Sequence, residues 1–307
     1  MNNDFLKIAK MTEDEAREMV EKLRWPDGII CPKCKSEKGA YKLESKPESK
    51  NKVRPGLYKC KACRQKFTVT MGTIFEDSHI PLNKWMIGIY LMNASKKGIS
   101  AHQLHRMLDI TYKAAWFMAH RIRYAMTQQP LGQLIGTIEA DETYVGGKMR
   151  GGKRGRGSEN KTPVFALVER GGELRAGKVQ NVSGKTLKGI IRENVTSDSH
   201  IMTDNFLSYL GLDQEFASHE TVDHSSGEYV RDDVYTNTLE GWFSLLKRGV
   251  NGTFHHVSEK HLDRYVGEFV YRYNNREITD TERAKKAVRA TGGKRLIYKE
   301  TIKKAGN

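Results

Sequence analysis

The chain has 307 residues, 38% hydrophobic and 29% charged, and lysine plus arginine exceed the acids by 52 to 37 for a net charge of +15. That length admits two or three domains, no apolar run approaches the ~20 residues of a membrane span, and the opening M-N-N-D-F-L-K lacks the pattern of a signal peptide, so an unprocessed cytoplasmic protein is expected. The basic surplus is spread along the chain and points to a polyanionic partner, nucleic acid ahead of anionic membrane.

Residues 11–24 predict a short helix, with Thr12 as N-cap and Glu15 completing a capping box. Trp25-Pro26-Asp27-Gly28 breaks it. All four cysteines follow, as Cys31-x-x-Cys34 and Cys60-x-x-Cys63. Two such pairs offer four thiolates to one tetrahedral ion, so one structural Zn²⁺ is expected. Disulfides are disfavoured in a cytoplasmic chain. The 25 residues between the pairs are polar and hairpin-like from Lys42 to Arg54, and residues 57–70 read as strand, which together suggest an extended zinc ribbon. Lys33, Lys35, Lys59, Lys61, Arg64 and Lys66 crowd the knuckles, either to touch phosphates or to solvate the module.

Residues 80–126 read as helical. Pro81 suits a first turn, and Lys97-Gly98 closes the first helix. Ser100 caps a second helix that stops at Asp109-Ile110, and Thr111 caps a third. Two short helices around a tight turn, the second carrying Lys113, His120, Arg121 and Arg123, suggest a helix-turn-helix; Lys113, Arg121 and Arg123 are its candidate DNA contacts.

From Leu134 the pattern changes to alternating strands and helices. A strand is predicted through Ile138 to Asp141, followed by a Gly/Lys/Arg-rich loop from Gly146 to Lys161 in which Lys153, Arg154 and Arg156 are candidate backbone contacts. Strands at 163–169 and 174–179, a helix at 186–194, a short strand from His200 ending at Asp204 and another around 220–222 come next. An amphipathic helix then starts near Asn237, with Glu240 and Lys247 two turns apart on one face and Arg248 beside them. The order implies a mixed sheet covered by helices. Residues 278–307 are polar and basic and read as peripheral.

Asp141 and Asp204 at strand ends, with Glu240 on a helix packed nearby, can converge on one point. Clustered carboxylates repel one another unless cations neutralise them, and oxygen donors suit hard divalent ions. Acids that hold two Mg²⁺ or Mn²⁺ ions, within a basic body that grips a backbone, form the pattern expected of phosphoryl transfer on DNA. Glu142 should point to the opposite face of the strand from Asp141 and is left outside the cluster. Tyr144 as a covalent nucleophile lacks a converging Arg/His set.

The three acids, the strand order and the 35 residues between Asp204 and Glu240 resemble the ribonuclease-H-like DDE nucleases and transposases. D-E-T-Y-V-G-G-K, G-G-K-R-G-R-G, T-D-N-F and the long N-T-L-E-G-W-F-S-L-L-K-R-G-V-N-G-T-F-H-H-V segment resemble the ISXO-type insertion-sequence transposases, which also carry an N-terminal zinc ribbon. The resemblance implies a metal-binding triad of Asp141, Asp204 and Glu240, with Lys247 following it. Part of that group has asparagine as its third residue, so Asn237, one turn before Glu240, is a second candidate. The implied organisation is a helix and zinc ribbon at 1–75, a helix-turn-helix at 76–130, a ribonuclease-H-like domain at 131–280 and a basic tail at 281–307. The implied activity is metal-dependent cleavage and strand transfer of double-stranded DNA at element ends and target, by a homodimer or higher oligomer associated with the nucleoid of a prokaryote, with no membrane. The alternatives are a DNA-binding regulator with an idle catalytic fold and a nuclease that never joins strands.

Overall fold

The computed structural model describes residues 4–45, 48, 52–127, 129–146, 161–223, 226–228 and 230–302. The chain divides into two compact units: Met1–Ser95 with Ile99–Met126 and Ile278–Asn307, and Lys96–Gly98 with Thr127–Glu277.

The first unit opens with α1 (Asp4–Ala9) and α2 (Glu13–Arg24). The capping box forms as the sequence predicts, with Thr12 Oγ1 accepting from the Glu15 N–H and Glu15 accepting from the Thr12 N–H. A three-stranded antiparallel sheet follows, β1 (Ala40–Lys42), β2 (Tyr58–Cys60) and β3 (Lys66–Phe67). Beneath it Trp25 meets the edges of Tyr58 and Phe67, which gives this small sheet an aromatic floor. Helix α3 (Leu82–Ala94) buries Leu82, Trp85, Met86, Ile89, Met92 and Asn93, so apolar groups surround it on most sides. Helices α4 (Ala101–Leu108) and α5 (Tyr112–Met126) follow, each capped where the sequence indicates: Ser100 accepts from Gln103 N and Thr111 from Ala114 N.

The C-terminal stretch departs from the tail expected at 281–307. It forms α9 (Asp280–Arg289) and α10 (Tyr298–Ile302), and Ala284, Ala287 and Val288 are buried in the first unit. Arg283 donates to Asn93 O at 2.7 Å and Lys294 to Ala125 O at 2.8 Å. The apolar stripe consists of small residues among lysines and arginines, so composition hides it.

The second unit is a five-stranded sheet in the order β6-β5-β4-β7-β8. Strands β4 (Thr137–Val145), β5 (Thr162–Glu169) and β6 (Leu174–Lys178) form an antiparallel meander. Helix α6 (Gly184–Asn194), capped by Ser183, crosses back so that β7 (His200–Asp204) pairs parallel with β4, and β8 (Ser218–Val222) pairs parallel with β7. This is the ribonuclease-H-like mixed sheet that the sequence predicts. On β5, Val164, Ala166 and Val168 pack toward α7 (Asn237–Arg248) and α8 (Glu259–Asn274), while Phe165 and Leu167 pack toward α6. The period of two thus divides the core into two layers. Helix α7 buries Leu239, Trp242, Phe243 and Leu246, each contributing about 1.5–3 kcal/mol. It runs into a π-helical turn, Gly249–Phe254. A side chain at Gly249 would strike the Phe269 ring and come within 2.9 Å of Lys97 O, so glycine is required there for close approach.

One boundary differs from expectation. Strand β4 does not stop at Asp141 but continues to Val145, because Thr143, Tyr144 and Val145 still pair with Val164, Pro163 and Thr162. Among the described residues no helix is long and apolar enough to cross a membrane.

Candidate metal centres

In the first unit all four cysteine sulfurs lie within 4.8 Å of one another. Cys31 Sγ is 3.8 Å from Cys63 Sγ, and Cys34 Sγ is 3.7 Å from Cys60 Sγ. A tetrahedron with Zn–S bonds of ~2.3 Å has edges of ~3.8 Å, so the donor set fits a structural zinc ion. The two knuckles fold alike. Lys35 N donates to Cys31 O and Arg64 N to Cys60 O, and Lys35 and Arg64 both adopt left-handed backbone, at φ 59° and 61°. The Cys63 N–H points at Cys60 Sγ and helps draw that thiol down to about 7, while burial and the neighbouring sulfurs push Cys63 up to about 11, so the metal-free cluster holds both thiolate and thiol. Lys33, Lys35, Lys61, Arg64 and Lys66 are exposed around the knuckles.

In the second unit the register of the sheet builds an acid centre. Strand β4 pairs with β7 from Thr137↔His200 to Glu139↔Met202. Extending that register by two residues sets Asp141 beside Asp204, beyond the Glu139–Met202 pair, where the two strands part. Asp141 lies opposite Ala166 and so belongs to the face covered by α7; Glu142 lies opposite Phe165 and belongs to the face covered by α6. Alternation is therefore obeyed. Yet oxygens of Asp141, Glu142 and Asp204 all come within 4.8 Å of one another. Both faces of β4 reach the same point because β7 no longer flanks the strand there. This corrects the exclusion of Glu142, whose carboxylate is held by the buried Tyr209 hydroxyl, donating at 2.6 Å.

Asp141 keeps some open surface, but protein packs densely about it. That desolvation, then the charges of Asp204 and Glu142 and, more weakly, Glu240, raise its carboxyl well above the ordinary range, against a 2.7 Å hydrogen bond from the Glu142 N–H. Burial and the Glu142 charge likewise push the Tyr209 hydroxyl up. An oxygen-rich cluster this unfavourable to negative charge suits a hard divalent cation.

Asp141 and Glu142 line a cleft of about 730 Å³ together with Thr143, Glu240, Phe243, Ser244, Lys247, Arg248, Asn251 and Gly252. Glu240 thus shares the cleft with Asp141, although among the described residues the group that closes to within 4.8 Å is Asp141, Glu142 and Asp204. Lys247 and Arg248 are exposed at the cleft, and Arg248 Nη2 donates to Ser244 Oγ at 2.7 Å. Asn237 begins α7, is exposed, and is not among the residues that line the cleft.

The expected DNA contacts separate into three groups. Arg121 and Arg123 are only 5% and 2% exposed, and Arg121 donates to Ile74 O at 2.9 Å and Leu296 O at 3.1 Å. A guanidinium held by buried carbonyls cannot also reach a phosphate, so Arg121 comes off the list of contacts, and Arg123 comes off it through its burial alone. Lys113 is exposed, with its ammonium 4.6 Å from the centre of the Tyr298 ring. Lys153, Arg154 and Arg156 lie outside the described residues.

Comparison with known proteins agrees with this division. Residues 11–66 match the transposase zinc-ribbon domain, and residues 133–274 match the ISXO2-like transposase domain. A protein of the transposable element ISH50 from Halobacterium salinarum is 30% identical over 282 residues, 85% of this chain and 91% of that protein. The chain belongs to the ISXO2-like transposase family. A transposase-like protein from Haemophilus influenzae is also similar, 36% identical over 100 residues, 33% of this chain and 80% of that protein. For a member of this family the two clusters have natural assignments, a zinc ribbon in the first unit and a DDE-type acid centre in the second.

Proposed function

We propose that this ISXO2-like family member cleaves double-stranded DNA at insertion-sequence ends and joins the freed 3′-hydroxyl to target DNA. The observation that carries the reading is the convergence of Asp141, Glu142 and Asp204 at one point beside a cleft that also holds Glu240, Lys247 and Arg248. Asp141, Asp204 and Glu240 would hold two Mg²⁺ or Mn²⁺ ions, with Glu142 as an added ligand. Bound there, the ions would activate the attacking water or 3′-hydroxyl and stabilise the leaving oxygen. Lys247 and Arg248 present positive charge at the rim and orient the DNA backbone. Asn237, at the start of the same helix, stays a rival to Glu240 for the third position. The zinc ribbon, the α4–α5 pair with Lys113, and the basic stretch of sequence with Lys153, Arg154 and Arg156 bind the element ends. Pairing of two ends calls for a homodimer or higher oligomer on DNA, in the bacterial or archaeal cytoplasm.

The test uses labelled end fragments, supplied either intact or already cut to a free 3′-hydroxyl. Asp141→Ala and Asp204→Ala should each abolish Mn²⁺-dependent cleavage and joining while leaving end binding in place. Hydrolysis without joining of the pre-cut ends would mark a nuclease. End binding by the unaltered chain without any metal-dependent chemistry would mark a regulator with an idle catalytic fold.

A further inference from the structure

Glu139 lies two residues before Asp141 on β4, on the same face, and is 0% exposed. The proposed chemistry gives it no role. Yet its two oxygens accept from four donors: Arg170 Nε at 3.1 Å, Thr238 N at 3.0 Å, Thr238 Oγ1 at 2.8 Å and Leu239 N at 3.2 Å. Two of these are first-turn amides of α7, the helix that carries Glu240. Such amides lack partners within their own helix and are ordinarily met by the N-cap side chain. Thr236, the N-cap of α7, makes no such bond. The strand caps the helix in its place.

Arg170 completes the arrangement. While Nε holds Glu139, Nη1 donates to Asp233 O at 2.7 Å and Nη2 to Tyr235 O at 2.8 Å, and the guanidinium lies 3.6 Å from the centre of the Tyr235 ring. The residue just after β5 thus grips both β4 and the chain leading into α7. A rigid planar fork is suited to fixing three directions at once. Apolar burial along α7 holds the helix against the sheet, and the hydrogen bonds at its first turn tie its start directly to β4. A buried, hydrogen-bonded ion pair adds little net stability over an apolar replacement, whereas it does fix where the helix begins.

We infer that Glu139 and Arg170 are positioning residues that set the register of α7 on β4, and so place Glu240 against Asp141. The inference rests on the proposed reading that Glu240 belongs to the acid centre. Leu239 bonds to Glu139, and Glu240 is the next residue; Asp141 stands two residues along the strand from Glu139. The clamp therefore stands one residue from Glu240 on the helix and two from Asp141 on the strand.

The experiment measures Mn²⁺ binding by calorimetry on the full-length, zinc-loaded protein, with hydrogen exchange of the peptide covering 236–246. Glu240→Ala is the reference and should weaken Mn²⁺ binding about tenfold or more. Arg170→Lys and Glu139→Gln should each weaken it about tenfold, the usual scale for a partner that orients a metal ligand, and speed exchange at the start of α7. Each should change affinity less than twofold once Glu240 is already alanine. Thr238→Val, which removes one hydroxyl and keeps the backbone bonds, should show the same pattern at smaller amplitude, and with Arg170→Lys it serves if Glu139→Gln does not fold. If these variants fold, retain zinc and bind Mn²⁺ within twofold of the parent while Glu240→Ala weakens binding, the positioning role is overturned. If Glu240→Ala itself binds Mn²⁺ like the parent, the assignment of Glu240 to the centre fails and this inference with it.

Discussion

The sulfur cluster and the acid cluster both gather like donors, by different routes. Each cysteine pair sits in a turn that carries its own geometry, with the residue after the second cysteine in left-handed backbone and its N–H on the first cysteine's carbonyl. Bringing two such turns together completes the set. Asp141 and Asp204 have no local unit. They meet because β4 and β7 pair in one register and then part, and Glu240, on α7, lines the same cleft as Asp141. A centre of the first kind is written in spacing. A centre of the second kind is written in sheet register, and a slip of one residue would dissolve it.

The largest effect that sharpens this contrast is at the zinc ribbon. Zinc binding to such a set is worth on the order of 10 kcal/mol, so Cys60→Ser should take bound zinc from one ion to nearly none and expose residues 31–67 to proteolysis. Mn²⁺ affinity should stay within twofold, as read by calorimetry. Joint loss of both metals would break the distinction between a self-contained motif and an independent sheet-built centre.

Next in size is Arg121. Its removal orphans the carbonyls of Ile74 and Leu296, so Arg121→Ala should cost about 2–4 kcal/mol in urea unfolding. The salt dependence of DNA binding should not change, whereas loss of a phosphate contact would lower the slope by about one.

Glu142 probes the acid centre directly. Glu142→Gln should weaken Mn²⁺ binding about 10–100-fold, again by calorimetry. Unchanged affinity would return Glu142 to the role of a strand residue on the far face.

The smallest effect concerns pH. The raised carboxyl of Asp141 means that the metal-free folded chain holds a proton which the unfolded chain, with an ordinary value of ~3.9, has released. Stability contributed by this group is therefore greatest at low pH and declines as pH climbs from ~4 through the raised value. Asp141→Asn should remove that decline and raise metal-free stability near neutral pH by about 1–2 kcal/mol, seen in thermal melts at several pH values. Mn²⁺ should raise the melting temperature of the parent and not of the variant.

Much of this was legible in the residues. The capping box at Thr12, the caps at Ser100 and Thr111, the cysteine spacing and the strand that ends at Asp204 all follow from local rules, because the partners lie within a few residues. Misreadings arose where contacts are distant. Arg121 and Arg123 look like a basic face on a helix, but nothing near them in sequence reveals the carbonyl of Leu296. The helix at 280–289 hides its small apolar stripe among charges. Alternation places Glu142 on the far face of β4 and does not anticipate the parting of β4 from β7. Glu139 carried a usable signal: an acid in the middle of I-E-A-D, on a strand with both faces covered, must be paired. Its partner, Arg170, could not be read without the register.

The most direct measurement is a crystal structure of the protein soaked in Mn²⁺, with anomalous difference maps at the manganese edge. Density is expected bounded by the carboxylates of Asp141 and Asp204, with Glu142 and Glu240 alongside, and should vanish in Asp204→Ala. Manganese held elsewhere, with Asp141 and Asp204 turned apart and binding none, would contradict it.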